Sequence, residues 1–201
     1  MPGAAWQTIY GVFRRWTRDG VIEKILQALD WQHDVSECAV DATHIKVHKD
    51  GANPCGGQQD QCLGRTKGGL NTKVHALVDR VGKPVAIVLT AGQAGDAPQA
   101  INLLSKAPGL QTGIMDKAYD SDQIREWLRA QGARACIPPR SNRIRPAVYD
   151  KRTYKRRHRI ENFFEKLKRT RRTATRYDKL AATFSSFIFL SIACLFLRNQ
   201  F

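Results

Sequence analysis

The stretch from Tyr154 to Lys168, YKRRHRIENFFEKLK, constrains the fold most, because its apolar residues recur at the spacing of a helix with one face to bury. At about 100° per residue, Ile160, Phe163, Phe164 and Leu167 share one side, and Tyr154, Arg157, Glu161 and Lys168 fall within an arc of roughly 60° along its rim. A core must therefore cover one side, and a stripe of mixed charge must run where core meets solvent. Glu161 and Glu165 are the only acids in the stretch. A carboxylate fixed at that rim among Arg and Lys suits metal-dependent phosphodiester chemistry, since it can bind a divalent cation while its neighbours bind phosphates. A solvated, ion-paired helix would carry the same charges, and i,i+4 pairs such as Arg157 with Glu161 need no function.

Charge narrows the partners. The net charge is +15, and residues 140–179 hold sixteen Lys and Arg against four acids. Double-stranded DNA is the expected partner. A membrane surface or an acidic protein would attract such charge too, but neither accounts for carboxylates embedded in the basic surface. The 201 residues, 42% of them hydrophobic, are enough for one good core and a small appendage. The five cysteines include no CxxC pair, and Cys55 and Cys62 lie too far apart for a zinc knuckle, so they are expected to be reduced thiols. No charged-then-apolar leader follows Met1, which fits a cytoplasmic, nucleoid-associated bacterial product. The apolar run Leu180 to Leu197 is interrupted by Thr183, Ser185, Ser186 and Ser191, and reads as a buried C-terminal helix rather than a membrane span.

Along the chain, Trp6, Ile9, Tyr10 and Phe13 have helical spacing, and Gly20 separates them from a second helix containing Ile22, Ile25 and Leu26. Half of a helical core is the expectation for the first. The run Cys38 to His48 alternates as a strand, with Asp41, Thr43, Ile45 and Val47 on one face and Ala42, His44, Lys46 and His48 on the other. Strands disfavour Asp, so Asp41 suggests a site. Residues 49–70 predict a long, mobile loop, with Arg65 and Lys67 available to DNA backbone; GRTKGG lacks the spacing of a phosphate-binding loop. Strands are expected at Thr72 to Asp79 and Pro84 to Thr90, the second buried on both faces. Asp96 should cap a helix with Pro98 in its first turn. The strand Thr112 to Met115 delivers a second carboxylate, Asp116, at its end. Asp120 and Ser121 should cap a helix ending near Gly132, and Ala133 to Ile137 makes a last strand before Pro138 and Pro139.

The spacing Tyr154, two residues, Arg157, three residues, Glu161, six residues, Lys168 resembles the Y-(2)-R-(3)-E-(6)-K signature of DDE transposases of the insertion-sequence 4 and 5 groups. The likeness continues through WQTIYGVFRRW, VDATHIKVHK, GRTKGGLNTKVHALVD, MDKAYDS, IPPRSNR and RRTATRYDKL. It implies an α/β, ribonuclease-H-like mixed sheet flanked by helices over residues 34–201. Residues 1–33 would then be a remnant of the family's helical N-terminal region, and the chain a truncation or a frameshift product. It also implies that Asp41, Asp116 and Glu161 are catalytic and hold two Mg²⁺ ions, with Mn²⁺ as a substitute, on a homo-oligomer bound to DNA. Tyr154, Arg157 and Lys168 would contact DNA, together with Arg65, Lys67, Arg140, Arg143, Arg169, Arg171 and Arg172 on the basic surface. Two alternatives stay open: a nuclease of the same fold that cuts without joining, and an inactive DNA-binding remnant.

Overall fold

The computed structural model describes residue 3 and residues 5–29 and 32–198. The chain enters through helices α1 (Trp6–Arg18) and α2 (Val21–Ala28), which pack against each other and against the last helix described. Strands β1 (Glu37–Val47), β2 (Gly64–Thr66), β3 (Gly69–Val78) and β4 (Pro84–Ala91) follow. Helix α3 (Ala97–Leu104), strand β5 (Thr112–Ile114), helix α4 (Asp122–Ala130) and strand β6 (Arg134–Cys136) come next. The chain closes with α5 (Lys151–Lys155), α6 (His158–Lys168), α7 (Arg171–Ala174), β7 (Thr175–Arg176) and α8 (Ala181–Leu197).

The strands form one mixed sheet in the order β2-β3-β1-β5-β6, with β4 beside β3 and β7 beside β1. On one edge β1 runs antiparallel to β3, Asp41 standing opposite Ala76. On its other edge it pairs with β5 only through Glu37 to Ala39, and with β7 only through Lys46 and Val47. Val40 to Ile45 have no strand partner on that edge among the described residues. The sheet has a notch there.

Alternation along β1 divides the core into two layers. Cys38 and Val40 join Leu103, Leu104, Ile124 and Leu128 of α3 and α4, whereas Ala39 and Ile45 join Ile160, Phe163 and Leu167 of α6 and Phe184 and Ile188 of α8. Gly113 lets α4 approach, because a Cβ there would lie 3.2 Å from Leu128. Asp41 has the parity of Ala39 and Ile45, so it faces α6. The fold is therefore the expected ribonuclease-H-like α/β sheet flanked by helices.

Several local expectations are corrected. The loop 49–70 is shortened by β2, which pairs with the start of β3. Strand β4 is an edge strand, half-buried over seven of its eight residues, rather than buried on both faces. No residue of α1 is buried, although Phe13 stacks on Phe187 at 4.5 Å; Trp6 stays 70% exposed. The helix Tyr154 to Lys168 is interrupted at Arg156 and Arg157, which keep right-handed backbone angles, so the stripe survives the break. Asp96 stands at the cap position of α3 without capping it; it pairs with Lys73 at 2.9 Å instead. Arg176, in the basic run expected on the surface, is fully buried and donates to the carbonyls of Gln61, Asp178 and Lys179 and to Thr72 Oγ1. The apolar Leu180 to Leu197 run forms α8 within the core, and no described helix is long and apolar enough to cross a membrane. All five cysteines are free.

Candidate active site

The site forms at the notch. The parallel register sets Ala39 opposite Ile114, and two further residues along each strand direction bring Asp41 and Asp116 to the same level. Asp41 lies within β1; Asp116 follows β5 and its carboxylate accepts from the Ala118 amide at 2.8 Å, opening a short 3-10 turn. Glu161 approaches from α6, whose apolar face is fixed by Ile160, Phe163, Phe164 and Leu167.

Arg157 ties the helix to the strand. Its Nη1 donates to Asp41 Oδ2 at 2.7 Å and its Nη2 donates to Glu161, while Asp41 Oδ1 accepts from the Ala42 amide at 2.8 Å. The Asp41 side chain is 21% exposed and that of Glu161 53%, so the pair spans the boundary between core and solvent. Burial pushes the Asp41 carboxyl above the usual carboxylate range; the Ala42 amide and Arg157 pull it back, and Asp116 nearby adds to the rise. Lys168 donates to Thr43 Oγ1 at 2.6 Å, two residues beyond Asp41 on the same face, and burial lowers its pKa. Tyr154 packs edge-on to Tyr149, with the Arg157 guanidinium 5.9 Å from its ring centre. All four residues of the helical stripe thus reach the notch or its rim.

Sequence reasoning missed the second clamp. Glu37, at the start of β1 and on the face of Asp41, takes both Arg156 and Arg159, the latter at 3.3 Å. A carboxylate four residues before Asp41 in a strand was the available signal. The remaining candidates divide. Arg65 and Lys67 are exposed on the β2–β3 hairpin. Arg140 stays exposed while its Nη2 donates to the Ala118 carbonyl at 2.6 Å, and the half-buried Arg143 pairs with Asp120 at 3.1 Å and with Asp122. Asp120 is accordingly a buried junction, also bound by Arg125 at 2.8 Å, and Ser121 alone caps α4. Arg169 pairs with Glu165, Arg171 lies over Tyr177, and Arg172 lies 4.2 Å from the Phe187 ring centre.

Convergence of the three acids is partial. Among the described residues, no three His, Cys, Asp or Glu side chains are gathered closely enough to hold a metal ion. The donor set nonetheless fits a hard divalent cation in kind: three carboxylates, no thiolate, and a cation, Arg157, already bridging two of them.

A mixed sheet with an acid on β1, one just beyond the parallel β5 and one on a flanking helix suits the polynucleotide-processing enzymes that work through bound divalent cations. Residues 33–197 match the family model described as the transposase DDE domain, and the chain belongs to that family of transposases. It is 44% identical over 131 residues to a Brucella ovis protein named as a transposase for insertion sequence element IS6501, covering 64% of this chain and all of that protein. Solved structures with some likeness include a chain of a simian T-cell lymphotropic virus intasome in complex with PP2A regulatory subunit B56 gamma (14% identity, TM-score 0.45). Another is a pre-cleavage Mos1 transpososome (12% identity, TM-score 0.41). The alignments cover 78% and 92% of this chain but 48% and 60% of those chains, and nothing below rests on them.

Proposed function

We propose that the chain cuts DNA at the ends of an insertion element and joins the freed 3′-hydroxyl to target DNA, with Asp41, Asp116 and Glu161 as the catalytic, cation-binding acids. The observation that carries this reading is the notch in β1, where the register levels Asp41 with Asp116 and Arg157 links Asp41 to Glu161. Mg²⁺, or Mn²⁺ in its place, would polarise the scissile phosphate and acidify the attacking water or hydroxyl when held by these carboxylates. The chain's own groups do the rest. The Ala42 amide holds one oxygen of the Asp41 carboxylate in place, so the group is oriented before a cation arrives. Lys168, anchored by Thr43, offers its ammonium to a DNA phosphate on the same face, and Tyr154 offers a ring edge or hydroxyl at the rim. Arg65 and Lys67 extend the contact along the duplex, and a homo-oligomer would bring two ends together.

The test uses element-end duplexes with Mg²⁺. Asp41→Asn, Asp116→Asn and Glu161→Gln are each expected to lower cleavage by 10³-fold or more while sparing duplex binding, as an interaction made in the transition state requires, to order of magnitude. Glu165→Gln, whose carboxylate pairs with Arg169 on the exposed side, should stay within about threefold of wild type. Near-wild-type cutting by Glu161→Gln would remove α6 from the chemistry. Cleavage without any joined product would favour a nuclease instead.

A further inference from the structure

Both oxygens of Asp41 already have donors, the Ala42 amide on one and Arg157 Nη1 on the other, and the second arm of the same guanidinium holds Glu161. A Mg²⁺ ion sits about 2.0–2.1 Å from a carboxylate oxygen. A guanidinium nitrogen 2.7 Å from Asp41 Oδ2 competes for that lone pair and repels the ion. Arg157 also stands at the single interruption between α5 and α6, where no i,i+4 ladder fixes the turn as firmly as within either helix. Its side chain is 20% exposed, so a short outward swing reaches the surface on which Tyr154 and Lys168 lie.

We propose that Arg157 is a displaceable counter-ion of the site, neutralising Asp41 and Glu161 until a divalent cation takes them and then turning outward to a DNA phosphate. The inference rests on the metal-site reading given above. One guanidinium cannot serve the carboxylates and a phosphate together, and a divalent cation and Arg157 cannot share Asp41 Oδ2. Each ligand therefore removes the pairing that the other must break, and linkage makes their binding mutually reinforcing. An unaided chain holds its acids closed. DNA and metal open the site together.

The experiment uses the 201-residue chain, Mn²⁺ as the probe and calorimetric titration as the readout. Arg157→Gln, which keeps a donor but no charge, is expected to bind Mn²⁺ about tenfold more tightly than wild type. Its melting temperature without metal should fall, and the rise on adding Mn²⁺ should exceed that of wild type. Fluorescence anisotropy on a scrambled duplex should show Mn²⁺ strengthening wild-type binding, with the gain lost in Arg157→Gln. Arg157→Met, which also removes the charge, serves as a second variant if the first folds poorly. Mn²⁺ affinity unchanged or weakened in both variants overturns the counter-ion role. Asp41→Asn separates the two readings: loss of Mn²⁺ binding there, with no tightening at Arg157, leaves the metal site standing and removes only the counter-ion. Undiminished Mn²⁺ binding by Asp41→Asn sinks the metal site itself.

Discussion

His75 shows how much a single buried side chain on the strand beside β1 contributes. It stands opposite Ala42 on β3, wholly buried, with its ring 2.8 Å from Thr90 Oγ1 and 3.9 Å from Asp96. Burial holds its pKa down to about 4, against the counter-pull of Asp96 and with a further push from Lys73. A depressed histidine stabilises the fold fully above its unfolded pKa of about 6.5 and loses that contribution as pH falls toward 4, because the unfolded chain takes the proton first. The expected loss is roughly 2–3 kcal/mol across that window. Denaturant titrations of wild type and His75→Gln at pH 7 and pH 4.5 check it: the variant should lose distinctly less stability between the two, and parallel losses would show that His75 is not the group responsible. Neither the burial nor the pairing of His75 was legible in the sequence, where a histidine in NTKVHALV reads simply as an alternating strand position.

Among the elements, α6 depends on two strand carboxylates. Glu37 holds Arg156 and Arg159, and Asp41 holds Arg157, so β1 grips the entry of the helix at two points on one face. Glu37→Gln is expected to cost about 1–2 kcal/mol, discounted for the partial exposure of Arg156, and to lower cleavage more than duplex affinity, because Glu161 loses its alignment while the exposed cations remain. Equal losses in both would point to unfolding rather than misalignment. Most of this layer was legible: period-two alternation marked β1, and an Asp inside or just beyond a strand marked both aspartates. What was not legible is short or long-range. Strands β2 and β7 have three and two residues, too few to show alternation. The break at Arg156 leaves the apolar period untouched, so nothing in the pattern reports it. Arg143 and Arg176 read as surface charge because their partners Asp120, Gln61 and Thr72 lie 23 to 115 residues away.

At the scale of the whole molecule, internal pairings reduce the charge presented to DNA. Residues 140–179 carry sixteen cations, yet Arg140, Arg143, Arg156, Arg157, Arg159 and Arg176 are engaged with the protein's own acids and carbonyls. Lys151, Arg152, Lys155, Arg169 and Arg171 are exposed, as are Arg65 and Lys67 on the β2–β3 hairpin. If these seven and Lys168 meet phosphates, log K against log salt without divalent metal should fall with a slope of about −7. Arg140→Ala should lower stability and leave that slope unchanged, whereas Lys151→Ala with Arg152→Ala should shallow it by nearly two. A flat salt dependence would rule out phosphate binding by this surface. The notch has a consequence in time as well as in space. Its first edge, β1, is made before the others; β5 brings Asp116 some 75 residues later, and α6 and β7 follow both. A nascent chain stopped before residue 150 owns both aspartates but lacks Glu161, Arg157 and the Lys46–Thr175 pairing that bounds the gap. The proposed site is thus complete only once residue 161 has been made, and synthesis interrupted before it leaves a fragment without a complete set of acids.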